Sequence, residues 1–261
     1  MVRFKVNRPD DSQDFVFTNA YKKLYKQLNV LKTHRGRILH VMGAPGTGKS
    51  ANIYEALDNL DLNVYNAVLV LDDVDLNSIE VYHKFFDSLK EDMKVDSVGG
   101  VYKKASEYDS VLFADRFHDS HYLYDNKAGF SSWTDNKGVK TFPFYLLLIL
   151  NYLWNIFKFR KINLVFQTSW AVKIKGVKRD LFTDFGMFSR LLVSVLKIFF
   201  IVVEISYTES EIVEIVKKHL PDADEEEIKL NIKQYGSRIR YILQSMKEES
   251  YNEDESQKNL Q

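Results

Sequence analysis

Eight residues constrain this chain more than any others. Gly43-Ala-Pro-Gly-Thr-Gly-Lys-Ser50 satisfies G-x-x-x-x-G-K-[ST] at every fixed position. Its setting matters as much as the match. The short apolar run at residues 37–42 (RILHVM) predicts a buried strand before it. A helix is predicted after it, running to about Leu60 with Ile53, Leu57 and Leu60 on one face. Between a strand and a helix, such glycines let backbone N–H groups turn inward around phosphate oxygens, and the helix N-terminus adds its dipole. A turn that only joined strand to helix would have no packing use for Gly-Lys-Ser. Gly43, Ala44, Pro45, Gly46, Thr47, Gly48, Lys49, Ser50 and Ala51 are therefore expected to bind ATP with Mg²⁺. Lys49 would reach the β- and γ-phosphates, and the Ser50 hydroxyl would ligate the metal.

The rest of the chain fits this opening. Thr18 can cap a helix with Tyr21, Leu24, Tyr25, Leu28 and Leu31 on its apolar face. Further strands are expected at residues 67–71 (AVLVL), 110–114 (SVLFA), 162–166 (INLVF) and 198–205 (IFFIVVEI), and a helix over 76–93. Short apolar strands alternating with helices imply an α/β fold: a parallel five-stranded P-loop sheet covered by helices. Residues 116–141 are polar and aromatic and read as a long surface loop. After Ser206 the pattern changes. Thr208-Glu-Ser-Glu211 is a capping box, Pro221 breaks the first helix, and two more amphipathic helices follow, the last with Ile239, Ile242, Leu243 and Met246 on one face. The expected division is a core domain over 1–206, a small C-terminal helical lid over 207–247 and an acidic, disordered tail over 248–261.

Composition excludes some function classes. The chain has 261 residues, with 36 basic and 36 acidic, so any nucleic-acid surface must be local. It has no cysteine, hence no disulfide framework and no thiolate metal site or nucleophile. Together with an N-terminus that lacks an apolar h-region, this points to the cytoplasm. Residues 142–159 (FPFYLLLILNYLWNIFKF) nearly suffice to span a bilayer, but Asn151, Asn155 and Lys158 interrupt them. A buried helix is the expectation, and no membrane partner.

A metal-orienting acid should end a neighbouring strand. Asp72 and Asp73 end AVLVL, with Asp72 only 23 residues beyond Lys49. Asp115 ends VLFA, 66 residues beyond Lys49, the spacing left when an extra strand sits between the loop strand and the acid strand. Asp115 is the expected acid; Asp72, Asp73 and Asp75 are read as caps of the next helix.

The order of parts over about residues 14–246 resembles the AAA+ ATPases, above all initiator-type and archaeal or viral members with a compact lid. The resemblance implies a sensor residue at the end of the fourth strand, Gln167 or Thr168. It implies a second sensor in Gly236-Ser-Arg-Ile-Arg240-Tyr241, with Arg240 favoured and Arg238 in reserve. A finger for a neighbouring subunit's nucleotide would be Arg190 or Arg179. It further implies a homo-oligomeric ATPase acting on DNA, in replication initiation, loading or remodelling, with a protein substrate as another option. One departure stands out: Arg116 follows Asp115 where the family usually has a glutamate, so the base would come from elsewhere, with Glu107 and Asp119 as candidates. A viral or mobile-element DNA-packaging ATPase, whose fourth strand often ends in glutamine, and an ATP-dependent switch with little hydrolysis are the alternatives.

Weaker signals surround the site. Lys173, Lys175, Lys178 and Arg179 form a basic run that reads as a phosphate-contacting surface or a solvated loop. The segment 117–141 holds His118, His121, Tyr122, Tyr124, Phe130 and Trp133, which could stack on bases or pin the loop down. Phe15–Phe17 could meet an adenine or pack in the core.

Overall fold

The computed structural model describes residues 15–66, 76–107, 111–114, 140, 142–174 and 177–247. Helix α1 (Asn19–Val30) leads into β1 (Ile38–Met42), the glycine loop and α2 (Lys49–Asn59). Then come β2 (Val64–Asn66), α3 (Ser78–Met93), α4 (Val98–Glu107) and β3 (Val111–Ala114). Helices α5 (Phe142–Trp154) and α6 (Ile156–Phe159) precede β4 (Asn163–Thr168). A hairpin, β5 (Ala171–Ile174) and β6 (Val177–Asp180), is followed by α7 (Met187–Phe199) and β7 (Ile201–Glu204). Helices α8 (Glu209–His219) and α9 (Glu225–Tyr235) and a last helical stretch, residues 239–247, complete the order.

Five strands form one parallel sheet in the order β2-β3-β4-β1-β7. The loop strand β1 is therefore interior, between β4 and β7, and β4 separates it from β3. Alternation along β1 separates two cores. Leu39 and Val41 face α1 and α2, where Leu24, Leu28, Leu31, Ile53 and Leu57 are almost wholly buried. At about 1.5–3 kcal/mol per buried side chain, this face anchors the helix that opens at the glycine loop. Ile38 and His40 point the other way. Ile38 joins Tyr65, Leu164 and Phe86 beneath α3, α4 and α6, and His40 stacks on Phe166. The C-terminal helices share a separate cluster built on Ile212, Val216, Ile228, Ile239, Ile242 and Met246.

The parallel five-stranded sheet expected from the sequence is present, and several boundaries differ. The expected strand at residues 67–71 lies outside the described residues; the second strand of the sheet is β2. Helix α3 starts at an Asn77 capping box closed by Glu80, and α4 was not foreseen because Gly99 and Gly100 weaken its helical signal. The expected fifth strand began at Ile198, but α7 runs through Phe199 and β7 starts at Ile201. The helix expected to be buried at residues 142–159 is two helices broken at Asn155, and in α5 only Phe144 is buried. Leu153 and Trp154 stand 56% and 90% exposed. Hydrophobicity alone had suggested burial, but only a narrow stripe of α5 has a partner, chiefly α3. The basic run is no loop: Val172, Ile174 and Val177 alternate with lysines, a two-residue period that folds as the antiparallel β5–β6 pair.

Candidate nucleotide site

The glycine loop closes through backbone conformations that favour glycine. Gly46 has φ +86° and Gly48, the N-cap of α2, φ +80°. Thr47 Oγ1 donates to Ala44 O at 2.9 Å and holds the loop's turn. The Lys49 ammonium lies back across the loop, donating to Gly43 O at 2.8 Å and Ala44 O at 3.1 Å. It is 7% exposed. Burial pulls its pKa down to about 8; the Asp180 carboxyl opposes that shift and the Arg240 guanidinium adds to it. A desolvated cation whose hydrogen bonds among the described residues go to carbonyl oxygens is poised for a stronger anionic partner.

The strand ends supply the next groups. Val41 of β1 pairs in register with Gln167 of β4, and Ser50 Oγ donates to Gln167 Oε1 at 3.1 Å. Thr168, the other expected sensor position, points to the opposite face and bonds His40 Nδ1 at 2.8 Å. Burial holds that histidine neutral, with its pKa lowered to about 4. Strand alternation thus separates two candidates that adjacency in sequence could not. Ala114 ends β3 in register with Phe166. Asp115 itself lies outside the described residues, as do Asp72, Asp73, Asp75, Arg116, Asp119 and the aromatic segment 117–139. Glu107 is a correction. It ends α4 before β3 begins, at the opposite end of the strand from the glycine loop, where its carboxylate faces Lys103 at 3.9 Å. From there it cannot act on a phosphate held at the loop.

The C-terminal helices touch the loop directly. The backbone N–H of Arg240 donates to Gly46 O at 3.0 Å. A Cβ added at Gly46 would lie 3.4 Å from Arg240 Cβ, at contact distance, so the left-handed φ of +86° rather than lack of room is what calls for glycine there. Tyr207 donates its hydroxyl to Thr47 O at 2.9 Å and accepts from Asn52 Nδ2 at 2.8 Å. Arg240 is exposed with its charge near Lys49, whereas Arg238 is engaged by the Asp184 carboxylate and Tyr235 O. Arg179 and Arg190 are both exposed, on β6 and α7.

Sequence reasoning missed two acids here. Asp180 is fully buried and closes the hairpin, accepting from Trp170 N at 2.7 Å and Phe182 N at 3.0 Å. Burial raises its pKa to about 6, with those N–H donors and Lys49 pulling the other way. Asp184 accepts from Asp180 N at 2.8 Å and also takes Arg238. One carboxylate therefore ties the hairpin to the C-terminal helices. The only available signal was Asp-Leu-Phe-Thr-Asp after an alternating run, a sequence suited to side-chain turns.

These residues fit a magnesium nucleoside triphosphate. The loop offers left-handed glycines, a buried ammonium and a hydroxyl–carboxamide pair at a strand end. Asn52 Oδ1, one turn into α2, is buried with no partner among the described residues.

No family model and no curated protein matches the sequence. Solved structures do resemble the fold. Cdc6p from Pyrobaculum aerophilum superposes with a TM-score of 0.51 at 12% identity, covering 95% of this chain and 65% of that one. The Aeropyrum pernix Orc1 protein, solved in complex with DNA, gives 0.44 at 14% identity over 90% of this chain and 60% of that one. Drosophila ORC bound to DNA gives 0.39 at 11%, over 93% and 62%. This chain thus spans about two-thirds of the length of the first of them or less. The likeness to Cdc6p is one of fold: both chains share the helix-covered parallel sheet.

Proposed function

We propose that this chain binds ATP with Mg²⁺ on residues 43–51 and hydrolyses its β–γ phosphoanhydride. The observation that carries the proposal is the Lys49 ammonium, buried on the loop carbonyls beside the Ser50–Gln167 pair. Triphosphate binding would let Lys49 exchange carbonyl partners for phosphate oxygens, which favour its charged form more strongly. Ser50 and Asp115 would hold the metal, which when bound neutralises developing phosphate charge. Gln167 would orient the attacking water, because its carboxamide already sits at the Ser50 hydroxyl. Arg240, exposed and electrostatically close to Lys49, suits the γ-phosphate better than Arg238, which Asp184 holds. Residues 207–247 would act as the lid over the core, 1–206, since their contact to Gly46 makes lid position sensitive to loop contents. Arg190 or Arg179 would serve a neighbouring subunit in a homo-oligomer, and the exposed Arg179 on β6 suits a nucleic-acid backbone.

A slow-hydrolysing switch is the second reading, favoured by Arg116 where a water-polarising glutamate would help. Steady-state turnover of Asp115→Asn and Asp72→Asn, with nucleotide binding measured alongside, tests the assignment. Asp115→Asn should lower turnover at least about 100-fold and Asp72→Asn little. The reverse ranking would place the metal acid on the wrong strand, and Mg-ATP binding without turnover in the unsubstituted chain would favour the switch.

A further inference from the structure

The sheet's α3–α4 side carries an exposed surface that nucleotide chemistry does not explain. Of the sixteen large apolar side chains standing exposed among the described residues, thirteen lie on α5, α6 and α7. A scatter of ordinary surface residues would not concentrate so. The crossovers β3 to β4 and β4 to β7 both run the same way along the sheet, so right-handed connection puts α5, α6 and α7 on one face. His40 lies on that face, its ring contacting Phe166 of β4 and Phe200, the residue that joins α7 to β7. Helices α1 and α2 cover the opposite face.

Charge identifies what this face suits. Acidic and basic residues balance at 36 each over the chain, yet residues 142–161 and 187–200 contain no acid and five basic residues: Lys158, Arg160, Lys161, Arg190 and Lys197. All five are exposed, and among the described residues only Lys197 of the five faces a carboxylate, Glu204 at 2.7 Å. Trp154 and Phe157 stand 90% and 74% exposed beside the basic cluster, with the Arg160 guanidinium over the Phe157 ring. Apolar helix surface, aromatic anchors and lysines or arginines that can reach upward are the pattern of a helix lying in a lipid interface. A second copy across a two-fold axis would set basic on basic, and nucleic acid would leave the apolar centre unused. Neither helix crosses a bilayer: α5 has 13 residues, and none among the described residues is long and apolar enough to span. The sequence reading set membranes aside because residues 142–159 could not span; a helix lying on the surface need not.

We propose that the α5–α6–α7 face docks on an anionic lipid membrane. This goes beyond the nucleotide reading and does not depend on it. The test uses the full chain with phosphatidylcholine vesicles, with and without phosphatidylglycerol, by co-sedimentation and tryptophan emission. Binding should require the anionic lipid and fall with salt. Emission should shift blue on binding, and Trp154→Phe should remove most of that shift. Phe157→Ser with Ile198→Ser should weaken binding at least about tenfold without lowering the melting temperature, because both side chains are exposed. Lys158→Gln and Lys161→Gln should each weaken it about fivefold. Absence of binding to either vesicle overturns the proposal, as does binding unaffected by these substitutions. Sizing that shows a dimer made monomeric by Phe157→Ser with Ile198→Ser would assign the face to a second copy instead.

Discussion

The buried Lys49 ammonium should make nucleotide binding take up a proton. Its pKa lies near 8 in the nucleotide-free chain, so it is about nine-tenths protonated at pH 7 and about one-quarter at pH 8.5. Phosphate contact restores the charged form, so Mg-ATP binding should draw about 0.1 proton at pH 7 and about 0.75 at pH 8.5. Above pH 8 affinity should fall, approaching tenfold per pH unit. Stability moves oppositely. The folded pKa is depressed, so between about 8 and 10.5 the unfolded chain holds a proton that the folded chain lacks. Lys49 therefore makes the nucleotide-free protein more stable as pH rises through that window, by about 3 kcal/mol in all. Titration calorimetry in two buffers of different ionisation enthalpy measures the uptake. Denaturant unfolding of the wild type minus Lys49→Met, across the same pH range, isolates the stability term. Proton uptake equal at pH 7 and 8.5, or a Lys49→Met variant with the same pH slope, would refute the reasoning.

Three further outcomes follow from the same geometry. Gly46→Ala puts a Cβ at φ +86° and 3.4 Å from Arg240 Cβ, so unfolding should cost about 1–2 kcal/mol less and ATP affinity should drop. Asp184→Asn removes the carboxylate that holds Arg238; hydrogen exchange should quicken over residues 238–247 and stay unchanged in α2, with a stability loss of about 1–3 kcal/mol. Asp180 has a folded pKa raised from 3.8 to about 6, so its contribution is present below pH 3.8 and lost as pH rises through 6. Asp180→Asn should remove that decline of about 3 kcal/mol, read as a flatter unfolding midpoint between pH 4 and 7.

The sequence by itself determined the phosphate loop, because its chemistry is local: left-handed glycines, a lysine and a hydroxyl at fixed spacing between a strand and a helix. It also determined the helix starts at Thr18 and Thr208, where one side chain caps its own turn. The alternation of apolar runs carried the parallel sheet. Tertiary structure decided what depends on partners far along the chain. Gln167 rather than Thr168 meets Ser50 because β4 pairs with β1 in one register, and register is a long-range fact. Asp180 comes near Lys49 only after the hairpin folds back, and Arg238 meets a carboxylate only because Asp184 stands across from it. The α5 segment shows the limit most plainly. Its composition says apolar, but burial needs something to bury against, and the fold buries only Phe144 of that helix while six of its thirteen residues stand exposed.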